Sequence, residues 1–159
     1  MRRPIDAPAP IEFRRMRPED LDRVVDIERG GFRHPWSRDL LARELGHAWS
    51  NILLAVEPDG ALGARVLGYV VFWLVHDEIH ILNIATAIES RRRGVGRALM
   101  LEAHASGRAR GATVATLEVR RSNVAAIELY LSLGYRQVGV RPNYYQEEGE
   151  DAIVMILDV

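Results

Sequence analysis

Arg91, Arg92 and Arg93 run into Gly94, Val95 and Gly96, where a strand-like apolar stretch gives way to a helical period. At a helix start the first main-chain N–H groups lack intrahelical partners and the dipole is positive. Gly94 and Gly96 carry no Cβ, so backbone can approach a phosphate, and the guanidinium groups add charge-assisted donors. That is an anion site of a size to take a diphosphate. The competing reading is a glycine-rich turn with a solvated arginine run. The dinucleotide fingerprint does not apply, because Leu99 stands where the third glycine belongs and no βαβ unit opens the chain.

Glu118 is the second such residue, a carboxylate inside the strand-like run Thr113 to Val119, where acids are disfavoured. Strands accept them when they face water or a cleft. With period-two alternation Glu118 shares a face with Val114 and Thr116, and partial burial there is expected to raise its pKa toward the range of a general base. A solvent-facing strand acid is the alternative. Tyr130 follows on the helical stripe Ala126, Leu129, Tyr130, Leu133, as a hydroxyl donor or as a core aromatic. Trp36, Asn143, Tyr144 and Tyr145 fall in predicted loops, where aromatics beside polar groups suit contact with a peptide, or packing on a sheet edge.

Other chemistries fall away on residue type. The 21 basic residues are all Arg, so lysine Schiff bases and a phosphate-loop lysine are excluded, and the absence of Cys excludes thiolate nucleophiles, thiolate metal sites and disulfides. His76 and His80 have the spacing of a metal pair, yet the segment reads as a turn entering a strand and the acids are misplaced for a zinc helix, so no metal is expected. No Ser lies in a nucleophile elbow.

Elements must hold these residues in place. Ile11 to Met16 reads as a first strand. Pro18, Glu19 and Asp20 then start a helix with the stripe Leu21, Val24, Val25 and Ile27, and Ser37 caps a second, short helix ending near Gly46. Asn51 to Glu57 and Arg65 to Val75 form a hairpin about a turn at Pro58, Asp59 and Gly60, and Glu78 to Ala85 adds a third strand. Gly96 to Arg110 and Asn123 to Leu133 are helical; Thr113 to Arg120, Tyr135 to Val140 and Ala152 to Asp158 are strands. The pattern predicts an α+β, or mixed α/β, domain over residues 11–159 with helices on both faces of the sheet. The three prolines within residues 1–10 predict a flexible tail.

The chain of 159 residues has a formal charge of −1 from 21 basic and 22 acidic side chains, so no overall field would hold it on nucleic acid or a membrane. Its longest apolar run, Val66 to Val75, is about half of what a spanning helix needs. A cytoplasmic protein is the expectation.

Taken together the motifs resemble the GNAT N-acetyltransferases, and within them the RimI-type ribosomal-protein-alanine branch, from about Ile11 to the C-terminus. Arg91-x-x-Gly94-x-Gly96 is similar to that family's acetyl-CoA loop, and Ser122-Asn123-x-Ala125-Ala126-x-x-Leu129-Tyr130-x-x-Leu133-Gly134-Tyr135 to its next helix. Phe32-x-x-Pro35-Trp36-Ser37, Ile81-Leu82-Asn83-Ile84-Ala85, Leu117-Glu118-Val119-Arg120 and Asn143-Tyr144-Tyr145 with Gly149-Glu150-Asp151-Ala152 complete the set. Thr86-Ala87-Ile88-Glu89 departs from it, lacking the usual proline.

The resemblance implies a GNAT fold: a central, mixed, mostly antiparallel twisted sheet of about seven strands. It implies acetyl-CoA as cosubstrate, with its pyrophosphate on Arg91 to Arg97 and its pantetheine near Ile84, Ala85, Thr86 and Asn123. Glu118 would be the general base, Tyr130 the acid for the departing thiolate, and Trp36, Ser37, Asn83, Asn143, Tyr144 and Tyr145 the acceptor contacts. The implied reaction is direct acetyl transfer to the N-terminal alanine of a small-subunit ribosomal protein. Alternatives are a broader N-terminal acetyltransferase, a non-catalytic acetyl-CoA-binding module, or an arginine-patch nucleic-acid binder, which the charge disfavours. An α-amine has a pKa of about 7.7 to 8.0 against about 10.4 for lysine, so its neutral form costs roughly 3.5 kcal/mol less at neutral pH, and one remote carboxylate suffices as base.

Overall fold

The structure is a computed structural model that describes residues 10–59 and 63–159. The residues expected to form the N-terminal tail, bar Pro10, and Gly60 of the expected turn lie outside the described residues. The elements run β1 (Glu12–Arg15), α1 (Leu21–Gly31), α2 (Arg38–Leu45), β2 (Ser50–Asp59), β3 (Gly63–Val75), β4 (Glu78–Thr86), α3 (Val95–Ala109), β5 (Val114–Arg120), α4 (Val124–Ser132), β6 (Arg136–Tyr145) and β7 (Glu150–Asp158). One seven-stranded sheet has the order β1-β2-β3-β4-β5-β7-β6. Among the described residues only β4 and β5 pair in parallel. This is the mixed, mostly antiparallel sheet that the motifs imply.

Helices cover both faces because each carries one apolar stripe to bury. On one face α1 and α2 press Val24, Val25, Ile27 and Leu41 onto Leu54, Tyr69 and Val71. On the other, α3 and α4 bring Val95, Leu99, Met100, Ala103 and Tyr130 against Phe72, Ile79 and Leu117. The Ser37 hydroxyl accepts from the Leu40 N–H at 3.1 Å and so caps α2 as expected. The helix expected from Pro18 begins one turn later, behind a 3-10 turn over Pro18–Asp20 in which Asp20 accepts from the Arg17 N–H at 2.8 Å.

Two expectations need correction. Pro58 and Asp59 belong to the ladder, opposite Ala64 and Gly63, rather than to the turn; a proline lacks one donor, which the fringe of a ladder tolerates. Asn143, Tyr144 and Tyr145 lie in β6, not in a loop. The strand passes through an irregular stretch between Arg141 and Tyr145, where Asn143 takes φ 50° and its N–H donates to Asp151 Oδ1 at 2.8 Å. Pro142 and Asn143 interrupt the register without ending the strand.

Two further irregularities open the sheet. β4 pairs with β5 only over Glu78 to Ile81 against Val114 to Leu117; beyond, β4 stays with β3 and β5 with β7, so the two strands splay. Between β3 and β4 the register slips: Val71 faces Asn83 while Phe72 faces Ile81, leaving Leu82 as the extra residue of a bulge. A bulge reverses which face later side chains take. Accordingly Ile79 and Ile81 belong to the α3 side, whereas Ala85 belongs to the α1 side and Asn83 bonds to α1.

Candidate active site

The splay of β4 from β5 leaves a cleft that passes between the two faces of the sheet. Its walls include Leu82, Asn83 and Ile84 of β4, Glu118 and Arg120 of β5, and Asn123, Ala126 and Tyr130 around α4. Glu28 of α1, Phe32, His34 and Trp36 of the α1–α2 loop, and Tyr145 of β6 complete the α1 side. Glu118 arrives from that face and Tyr130 from the opposite core, so both reach one space.

Glu118 is largely enclosed, with 12% of its side chain exposed. His80 Nε2 stands 2.7 Å from its Oε2 and Arg141 Nη2 3.4 Å from its Oε1. The expected rise in pKa is overturned: the His80 hydrogen bond holds the Glu118 carboxyl below its ordinary value, outweighing burial, with the positive charges of His80 and Arg141 adding to the effect. The reason is non-local, since His80 faces Thr116 across the parallel ladder and so lies beside the next same-face residue of β5.

Tyr130 is 5% exposed, and burial pushes its phenol up to about 12. It is therefore a neutral O–H donor at the cleft wall. Its ring lies 5.8 Å from that of Tyr135, whose N–H donates to the Tyr130 carbonyl at 3.0 Å and closes the end of α4. Asn123 caps α4 at the other end, its Oδ1 accepting from the Ala126 N–H at 3.2 Å.

Among the residues expected to contact an acceptor, Trp36, Asn83 and Tyr145 line the cleft, while Ser37, Asn143 and Tyr144 do not. Ser37 is occupied as a cap, and Tyr144 is exposed with its ring against Tyr145 at 5.1 Å. The Arg120 guanidinium sits 3.9 Å above the Tyr145 ring. Over the mouth, His34 of the α1–α2 loop meets Glu147 at 2.9 Å and Glu148 at 3.3 Å, both from the turn between β6 and β7.

The loop from Arg91 to Gly94 is exposed and leads into the 15 residues of α3. Gly94 takes φ 74° at the N-cap, no side chain caps the helix, and nothing lies within 4 Å of where a Cβ would stand. Bare N–H groups and an open approach fit a phosphate. Arg93 pairs with Glu57 at 2.6 Å and Arg97 donates to Ser132 Oγ at 3.0 Å. Ala85 is buried and Thr86 partly so, with Gly96 near the Thr86 hydroxyl and Leu129. None of these loop residues lines the cleft itself; Ile84, Asn123 and Tyr130 do.

His80, Arg141 and Glu28 escape the residue-by-residue reading. Glu28 is 1% exposed and accepts from the Trp36 N–H at 3.1 Å, from Asn83 Nδ2 at 2.8 Å and from the Tyr69 hydroxyl. Burial raises its pKa, with the Trp36 and Asn83 donors opposing. A sequence signal exists: Glu28 stands four residues after Val24 and three after Val25, on the stripe that α1 buries. A carboxylate in that place needs partners.

The acetyltransferase (GNAT) family model matches residues 21–135. A ribosomal protein bS18-alanine N-acetyltransferase of Escherichia coli strain K12 is 37% identical over 142 residues, 88% of this chain and 92% of that protein. The crystal structure of the ribosomal-protein-S18-alanine N-acetyltransferase from Escherichia coli superposes with a TM-score of 0.82 at 31% identity, covering 94% of each chain. Ard1 from Thermoplasma volcanium gives a TM-score of 0.80 at 27% identity, over 94% of this chain and 97% of that one. With the family model spanning more than half of the chain and relatives aligned over nearly all of it, the chain belongs to the acetyltransferase (GNAT) family.

Proposed function

We propose that the protein acetylates the α-amine of a protein N-terminus from acetyl-CoA, by direct attack in a ternary complex, and that its preferred acceptor is the N-terminal alanine of the small-subunit ribosomal protein bS18. The observation that carries this reading is that Glu118 and Tyr130, from opposite faces of the sheet, reach one cleft. The named activity of the Escherichia coli relatives supports the acceptor. The reaction is set in the cytoplasm, with neither nucleic acid nor membrane as partner.

The uncapped start of α3 and the open face of Gly94 suit the pyrophosphate, with Arg91, Arg92 and Arg93 as further donors. Bound there, acetyl-CoA supplies an activated acyl group along Ile84, Ala85 and Asn123. Glu118 is ionised at neutral pH and takes the proton that the amine loses, directly or through water. A carboxylate held below its ordinary pKa stores that proton poorly. His80 Nε2, 2.7 Å from Glu118 Oε2, is the neighbouring group placed to relay it. Tyr130, held near 12, does not give up its proton outright to a thiolate whose acid has a pKa of about 8.5; it donates a hydrogen bond as charge develops on sulfur.

The test is thiol release from acetyl-CoA with peptides beginning Ala, Ser, Met or Glu, beside a peptide whose only amine is lysine. Alanine should lead. Equal rates across the first four would mean a broader N-terminal enzyme, and preference for lysine would overturn the substrate class. Glu118→Gln should lower kcat by about a hundredfold or more with the KM for acetyl-CoA retained.

A further inference from the structure

We infer that Glu28 is a positioning residue for the acceptor amine: it locks the Asn83 amide so that Oδ1, not Nδ2, is presented to the cleft. The inference rests on the cleft being the acceptor site. Glu28 is enclosed, and its three partners, the Trp36 N–H, the Tyr69 hydroxyl and Asn83 Nδ2, all approach as donors. Asn83 Nδ2 donates to Glu28 Oε2 at 2.8 Å, so the amide nitrogen is turned to the buried carboxyl and the amide oxygen points elsewhere. Nδ2 also lies 3.4 Å from the Tyr69 oxygen, on the same buried side. Asn83 lines the cleft, and the β4 bulge turns it to the face that also carries Glu118.

The polarity matters for the chemistry. A neutral amine has two N–H groups and one lone pair. For attack, the lone pair must face the acetyl carbonyl while both N–H groups find acceptors. Glu118 serves one, and Asn83 Oδ1 serves the other. A flipped amide would offer N–H to the lone pair and hold it away from the carbonyl. Glu28 thus acts on the reaction through Asn83, without touching the acceptor.

Kinetics with an alanine-starting peptide decide the matter. Glu28→Gln has the same shape but carries a donor, which turns the Asn83 amide; kcat/KM for the peptide should fall about tenfold, with the KM for acetyl-CoA unchanged. Asn83→Asp alone sets two carboxylates face to face and should be worse. Combined, Glu28→Gln and Asn83→Asp restore the pattern, since the amide introduced on α1 would donate to one oxygen of the carboxylate introduced on β4 and leave the other oxygen for the amine; kcat/KM should return to within about threefold of the wild type. A purely structural Glu28 would move the acetyl-CoA KM as well, and the second substitution would not restore activity. Wild-type peptide kcat/KM in Glu28→Gln, or a double variant no better than the singles, overturns the inference. If Glu28→Gln does not fold, Asn83→Ala reads the same oxygen, and an unchanged peptide kcat/KM there overturns it too. A wild type that acetylates no α-amine peptide would instead sink the functional reading, and this inference with it.

Discussion

Both carboxylate oxygens of Glu118 are engaged, Oε2 by His80 and Oε1 by Arg141, and the His80 contact is the largest influence holding its pKa down. Removing that imidazole therefore raises the pKa, because burial is left with less to oppose it. The rate has two acid-side breaks: one where the acceptor ammonium loses its proton, and a lower one where Glu118 ionises. His80→Ala should move the lower break of the kcat/KM profile to higher pH while leaving the upper one in place. Arg141→Ala should shift it the same way by less. A pH–rate profile in which the lower break stays put in His80→Ala would mean that His80 does not set the Glu118 pKa.

At the level of elements, the glycine turn before α3 and α3 itself are local features, and so they are legible in the sequence: Gly94 before a helical period needs nothing from the rest of the chain. In the structure Gly94 takes φ 74° with open space around it. Gly94→Ala should therefore cost only the backbone, about 1–2 kcal/mol, seen as a fall of about 2–8 °C in Tm. Its methyl would also stand over the uncapped start of α3, so the KM for acetyl-CoA should rise while the peptide KM does not. A KM for acetyl-CoA equal to that of the wild type would exclude this turn from the cofactor site. The strands, four helices and α2 cap are legible on the same grounds, from period and capping chemistry. What cannot be read that way depends on pairing between distant segments. The direction of the Glu118 shift needs His80, which the parallel β4–β5 ladder brings close. The face of Asn83 needs the bulge at Leu82. The full length of β6 needs β7, because Pro142 and Asn143 look like a strand end until a partner strand spans them.

For the molecule as a whole, the joint between α3 and the β6 side of the sheet encloses a polar pair. His104 of α3 is 4% exposed, and its Nε2 lies 2.7 Å from the Tyr135 hydroxyl, the residue that also packs on Tyr130. Burial, with the Arg108 charge adding to it, pushes the His104 pKa down from 6.5 to about 4. The unfolded chain thus takes up this proton before the folded one does. The stability that neutral His104 contributes is fully present above about pH 6.5, declines as pH falls from there, and is gone near pH 4, a change of about 3 kcal/mol. His104→Gln keeps a partner for Tyr135 but does not titrate in this range. Chemical denaturation followed between about pH 7 and pH 4 should show the wild type losing about 3 kcal/mol more than His104→Gln. The carboxylates, which also titrate there, are common to both proteins and cancel in the difference. Parallel stability curves would mean that the α3 joint tolerates a buried imidazolium, and that acid loosening of the fold begins elsewhere.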